Sequence, residues 1–122
     1  MGWMVLFDSD FEAWLESQEE GLQNEIAAHI TLLEEYGPLL PRPYADTVKG
    51  SKYGNMKELR IQYKKDPWRI LFIFDPIRQA ILLVGGNKRG NRNWYRKNIL
   101  LAEQRYEQHL AELEKNDGGK NL

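Results

Sequence analysis

The 122-residue chain predicts an α+β domain: an N-terminal strand and two helices packed on a small antiparallel sheet, followed by a C-terminal helix. Three observations carry that reading. Apolar residues recur at helical spacing over residues 9–36. Short apolar or alternating runs lie between turn signals over residues 57–85. Helical spacing returns over residues 91–113. An apolar content of 42% is enough for one domain with a real core. Residues 1–114 are expected to form that domain, and the polar, Gly-containing tail 115–122 is expected to be disordered.

Trp3 to Phe7 is a short apolar run and reads as the first strand. Ser9-Asp10-Phe11-Glu12 has capping-box spacing and opens a helix that buries Phe11, Trp14 and Leu15. Gly21 interrupts or kinks it. Leu22, Ile26, Ile30 and Leu33 then mark one helix face, which Gly37-Pro38 ends. Residues 37–46 hold three prolines and read as a rigid loop. From Lys57 to Tyr63 the chain alternates, with Leu59 and Ile61 on one face and Glu58, Arg60 and Gln62 on the other. Trp68 to Phe74 and Ala80 to Gly85 are the next strands, joined through Asp75-Pro76-Ile77-Arg78. Four-residue loops would place Leu59 opposite Phe72 and Ile61 opposite Ile70. The second hairpin would then place Phe72 opposite Ile81 and Ile70 opposite Leu83, all on one face that helices must cover. Asn91 caps a last helix whose stripe is Tyr95, Ile99, Ala102, Tyr106, Leu110 and Leu113.

Charge is sorted along the chain. Residues 1–40 carry nine acids and no Lys or Arg, whereas residues 41–100 carry fourteen bases against four acids. The near-neutral total of −1 therefore hides a basic middle that would attract polyanions. A nucleic acid is the expected partner, and an acidic protein is the alternative. With no cysteine and two distant histidines, thiol catalysis is excluded and no metal or other cofactor is expected. No apolar run approaches the ~20 residues of a membrane helix, and no signal peptide is evident. A cytoplasmic protein without a membrane partner is expected.

Two constellations are candidates for chemistry. Residues 88–97 hold Lys88, Arg89, Arg92, Arg96 and Lys97 with Trp94 and Tyr95, and no acid. Cations in the first turns of a helix oppose its dipole, which invites a functional explanation such as phosphate binding. Trp94, off the apolar stripe, would stack on a base. The second group is Arg60, Gln62 and Arg69 on the sheet face away from the first helices, where Gly85-Gly86-Asn87 would bring Lys88. Converging cations can hold a phosphate and stabilise a pentacovalent transition state. RNA carries its own nucleophile, the 2′-hydroxyl, so such cleavage needs no metal. Lys88, Glu58 or Tyr95 would act as acid or base, and neighbouring cations would lower the pKa of Lys88. Arg69 has no acidic neighbour in this register. His29 reads as a helix-edge packing residue and His109 as solvated.

Four segments in this order resemble a known family: Asp46-Thr47-Val48-Lys49-Gly50-Ser51, Asn55-Met56-Lys57-Glu58-Leu59-Arg60, Trp68-Arg69-Ile70-Leu71-Phe72-Ile73-Phe74-Asp75-Pro76, and Ile81-Leu82-Leu83-Val84-Gly85-Gly86-Asn87-Lys88. They look like the HigB-like, phage-derived toxins of the RelE/ParE toxin–antitoxin superfamily, over roughly residues 3–110. The resemblance implies a RelE-like α+β fold and a toxin that cleaves mRNA on the translating ribosome. It also implies that a helix-turn-helix antitoxin holds the toxin inactive. By position, Lys57, Glu58, Arg60, Arg69 and Lys88 match the family's recurring polar residues. The histidine and C-terminal acid/base residues of other branches have no clear match. The expectation is thus an endoribonuclease that inhibits translation. Glu58, Arg60, Arg69 and Lys88 would be catalytic, and Lys57, Arg89, Arg92, Trp94, Tyr95 and Arg96 would contact RNA. Two alternatives stay open: a non-enzymatic toxin that binds gyrase, and a basic module that meets only its antitoxin.

Overall fold

Apolar side chains on both faces of the central strands require a cover on each side, and the chain supplies helices for both. The computed structural model describes residues 2–120. Strand β1 (Val5–Phe7) leads into helices α1 (Ser9–Glu16) and α2 (Glu20–Tyr36). Strands β2 (Ala45–Thr47), β3 (Lys57–Tyr63), β4 (Asp66–Phe74) and β5 (Ala80–Asn87) follow, then helix α3 (Trp94–Lys120). The sheet order is β1-β5-β4-β3-β2, antiparallel except where β1 runs parallel to β5.

Local chemistry sets the boundaries. Asp8, not Ser9, caps α1: its carboxylate accepts from the Asp10 and Phe11 amides. Gly21 lies in the first turn of α2, where a Cβ would fall 2.2 Å from the Tyr63 hydroxyl oxygen. The segment read as a rigid loop contains β2, whose Ala45 pairs with Leu59 and contributes to the core. Helix α3 continues past Lys115, where the sequence predicts a disordered tail. Glu112, Leu113, Glu114 and Lys115 are good helix formers. Residues 121 and 122 lie outside the described residues.

The hairpin registers differ from expectation. The β3–β4 turn has two residues, Lys64 and Lys65, both at positive φ (49° and 68°). Such a turn matches strand twist, so Leu59 faces Ile70 and Ile61 faces Trp68. A shift of two keeps every side chain on its predicted face. The β4–β5 pairing contains an irregularity: Leu71 faces Val84, but Phe72 faces Leu82. The extra residue, Leu83, reverses the faces beyond it. Ala80 and Leu82 therefore join Leu59, Ile61, Ile70 and Phe72 beneath α1 and α2. Ile81 and Leu83, expected there, lie instead with Leu71, Ile73 and Val84 under Ile99, Ala102 and Tyr106 of α3. The second sheet face is thus half covered by α3 rather than open.

Candidate functional site

At the uncovered end of that second face, pairing places Arg60 directly across from Arg69. Two facing guanidinium groups repel, and Glu58, two residues along the same face, offsets the repulsion. Its Oε2 accepts from Arg60 Nη1 at 2.9 Å, and its Oε1 lies 3.6 Å from Arg69 Nε. The latter is an ion pair too long for a hydrogen bond. Arg69 Nη1 donates to the Trp68 carbonyl at 2.9 Å. From α3, the Tyr95 hydroxyl donates to Glu58 Oε1 at 2.5 Å. Past the end of β5, the Lys88 amide donates to the Pro67 carbonyl, and its Nζ sits 5.2 Å from the Tyr95 ring centroid. Pro43, Arg60, Gln62, Pro67, Arg69 and Lys88 line a cavity of about 400 Å³.

This arrangement has electrostatic consequences. Burial, then the neighbouring Arg69 and Arg60, lower the pKa of Lys88 against the opposing pull of Glu58. Burial and the bond to Glu58 raise that of Tyr95, so its hydroxyl keeps its proton at neutral pH. Both Glu58 oxygens are engaged and the residue is 4% exposed, so the carboxylate organises its neighbours rather than facing the cavity.

The structure brings Glu58, Arg60, Arg69, Lys88 and Tyr95 together. Other expected residues stand elsewhere. Lys57 alternates onto the opposite face, with Leu59 and Ile61. Trp94 is 4% exposed and packs in the α3 core, where a Cβ on Gly86 would come within 2.6 Å of its Nε1. Its indole has no free face for a base, contrary to expectation. Two glycines within a strand are the sequence signal for such a close approach. Arg89 is exposed but pairs with Asp66 at 2.5 Å. Arg92 and Arg96 are exposed on the same end. Arg69 does have an acidic neighbour, because the two-residue register shift brings Glu58 toward it. His109 is not simply solvated either: its Nε2 lies 2.8 Å from Oδ2 of buried Asp75. Among the described residues, no cluster of His, Cys, Asp and Glu could hold a metal ion, and no helix is long and apolar enough to cross a membrane.

Residues 13–107 match the family described as Phage derived protein Gp49-like (DUF891). The chain belongs to that family. Two similar proteins are the candidate toxins HigB3 and HigB2 of Mycobacterium tuberculosis. HigB3 is 48% identical over 108 residues, covering 88% of this chain and 93% of HigB3. HigB2 is 42% identical over 116 residues, covering 93% of this chain but 57% of HigB2. The chain therefore spans little more than half of that longer relative. A variant of the E. coli toxin RelE, solved in the free state, superposes with a TM-score of 0.58 at 9% identity, covering 86% of this chain and 98% of the other. The fold of this Gp49-like chain is thus RelE-like, and its HigB-like kinship agrees with the sequence motifs.

Proposed function

We propose that this Gp49-like chain is the toxin of a toxin–antitoxin pair, and that it cleaves mRNA on the ribosome. The observation that carries this reading is the convergence of Arg60, Arg69 and Lys88 on one cavity, with the single carboxylate there turned to the arginines. A phosphodiester in the cavity would sit among three cations, which stabilise the charge that builds on its oxygens in the transition state. The 2′-hydroxyl oxygen attacks phosphorus and the bond to the 5′-oxygen breaks, leaving a 2′,3′-cyclic phosphate and a 5′-hydroxyl. Solvent takes the 2′-hydroxyl proton. Lys88, its ammonium made more acidic by burial and Arg69, gives a proton to the departing 5′-oxygen. Glu58 and Tyr95 are positioning residues that hold the arginines. Arg92 and Arg96 extend the positive surface toward ribosomal RNA, and a helix-turn-helix antitoxin would silence the toxin by covering it.

Pulse labelling after induction tests this reading in cells. Protein synthesis should stop before DNA synthesis, and a gyrase-binding toxin would reverse that order. No arrest of either would leave only a binding module.

A further inference from the structure

A second cavity, of about 410 Å³, is lined by Lys49, Gly50, Tyr95, Arg96, Ile99 and Leu100, and the Tyr95 ring that forms part of it carries Lys88 Nζ of the cationic cavity 5.2 Å from its centroid. Tyr95 joins the two: its hydroxyl is fixed by Glu58 among the arginines, and the residue forms part of the second wall. The apolar part of that wall is Ile99 and Leu100, the latter 59% exposed although its neighbours on α3 pack inward. Lys49 and Arg96 supply positive charge, and no acid lines the space. The opposite side is a built feature. Glu103, itself 7% exposed, accepts from Ser51 Oγ and the Lys52 amide, each at 2.8 Å. Glu107 accepts from the Tyr53 hydroxyl at 2.7 Å. These bonds strap residues 51–53 to α3, beside Gly50, where a Cβ would lie 3.9 Å from Ile99 Cδ1.

An aromatic and aliphatic wall with two cations and no acid suits a flat, apolar group carried on a phosphate chain. We infer that this cavity receives one unstacked base of a single-stranded RNA whose adjoining phosphate occupies the Arg60–Arg69–Lys88 cavity. The inference rests on the RNA reading above and adds a base-binding subsite to it. Lys49 and Arg96 would meet the flanking phosphates, and Ile99, Leu100 and Tyr95 would contact the base. Recognition of this kind tolerates any base, because every base has an apolar face.

Fluorescence anisotropy with the full chain tests it. The probes are a short labelled single-stranded RNA and an oligomer of the same length that keeps the sugars and phosphates but lacks bases. The wild-type chain should bind the base-bearing RNA about tenfold more tightly. Leu100→Glu should abolish that preference, with an unchanged melting temperature because Leu100 is exposed. The added negative charge weakens both probes alike, so the ratio isolates the base contact. Equal wild-type binding of both probes, in a salt-dependent manner, overturns the subsite and leaves the RNA reading standing. A Leu100→Glu chain that keeps the full preference overturns it too. Binding of neither probe by the wild type overturns both the subsite and RNA binding by the isolated chain.

Discussion

Arg69 and Lys88 line the same cavity but differ in what removal does. Arg69 is 5% exposed and ion-paired with buried Glu58. Arg69→Ala leaves that carboxylate partly uncompensated, and breaking a buried pair from one side costs about 3–5 kcal/mol. Chemical denaturation should register that loss. Lys88 is the reverse case, since burial and Arg69 disfavour its charged form. Lys88→Met should therefore leave stability unchanged or slightly raised at neutral pH. Equal destabilisation by the two variants would contradict this distinction. Asp75 gives a pH test. Burial pushes its pKa up, but hydrogen bonds from His109 and from the Gln79 backbone and side chain outweigh it, leaving it below its ordinary 3.8. The unfolded chain thus takes up the proton first as pH falls. The stabilisation is full above 3.8 and is lost as pH drops through the lower folded value. Asp75→Asn should cost about 1–3 kcal/mol at neutral pH and flatten the acid limb of the melting-temperature profile. A variant profile parallel to the wild type would count against this role.

At the scale of elements, β5 ties the two cores together. A Cβ on Gly85 would fall 2.3 Å from the Trp14 ring on one face, and a Cβ on Gly86 would fall 2.6 Å from Trp94 on the other. Gly86→Ala should push Trp94 outward, lower stability by about 1–3 kcal/mol and red-shift tryptophan emission. An unchanged melting temperature would mean that Trp94 is not seated on the strand. The helices and β3 were legible because their periodicity is strong, and β4 and β5 because each is a short apolar run between turn signals, buried on both faces. Register was not. The Lys64-Lys65 turn adopts positive φ without the Asn or Gly that signals it, and the bulge at Leu83 has no mark in an unbroken apolar run. Arg60 and Arg69 kept their shared face because the first slip was of two residues. Ile81 and Leu83 changed sides because the bulge adds one. Lys57 was named from a likeness of sequence alone, and alternation turns it away from the cavity. Strand β2 was hidden among prolines, too short for a pattern to appear.

For the whole molecule, the sorted charge predicts how it would meet RNA under the proposed function. If the basic end contacts ribosomal RNA, affinity should fall steeply with salt as counterions are released. Arg92→Glu and Arg96→Glu should each weaken ribosome association. Arg89→Glu should weaken it less, since Asp66 already neutralises that side chain. Salt-insensitive association would contradict an electrostatic interface. The cavity itself makes the sharper claim, and Lys88 is its cleanest probe because losing it should not disturb the fold. The decisive measurement is ribosome-dependent mRNA cleavage by the purified full chain, wild type against Lys88→Met, with melting temperatures taken alongside. The wild type should cleave, and the variant should lose roughly a hundred- to thousandfold in rate at an unchanged melting temperature. A fully active Lys88→Met chain, or a folded wild-type chain that cuts no mRNA on the ribosome, would contradict that claim.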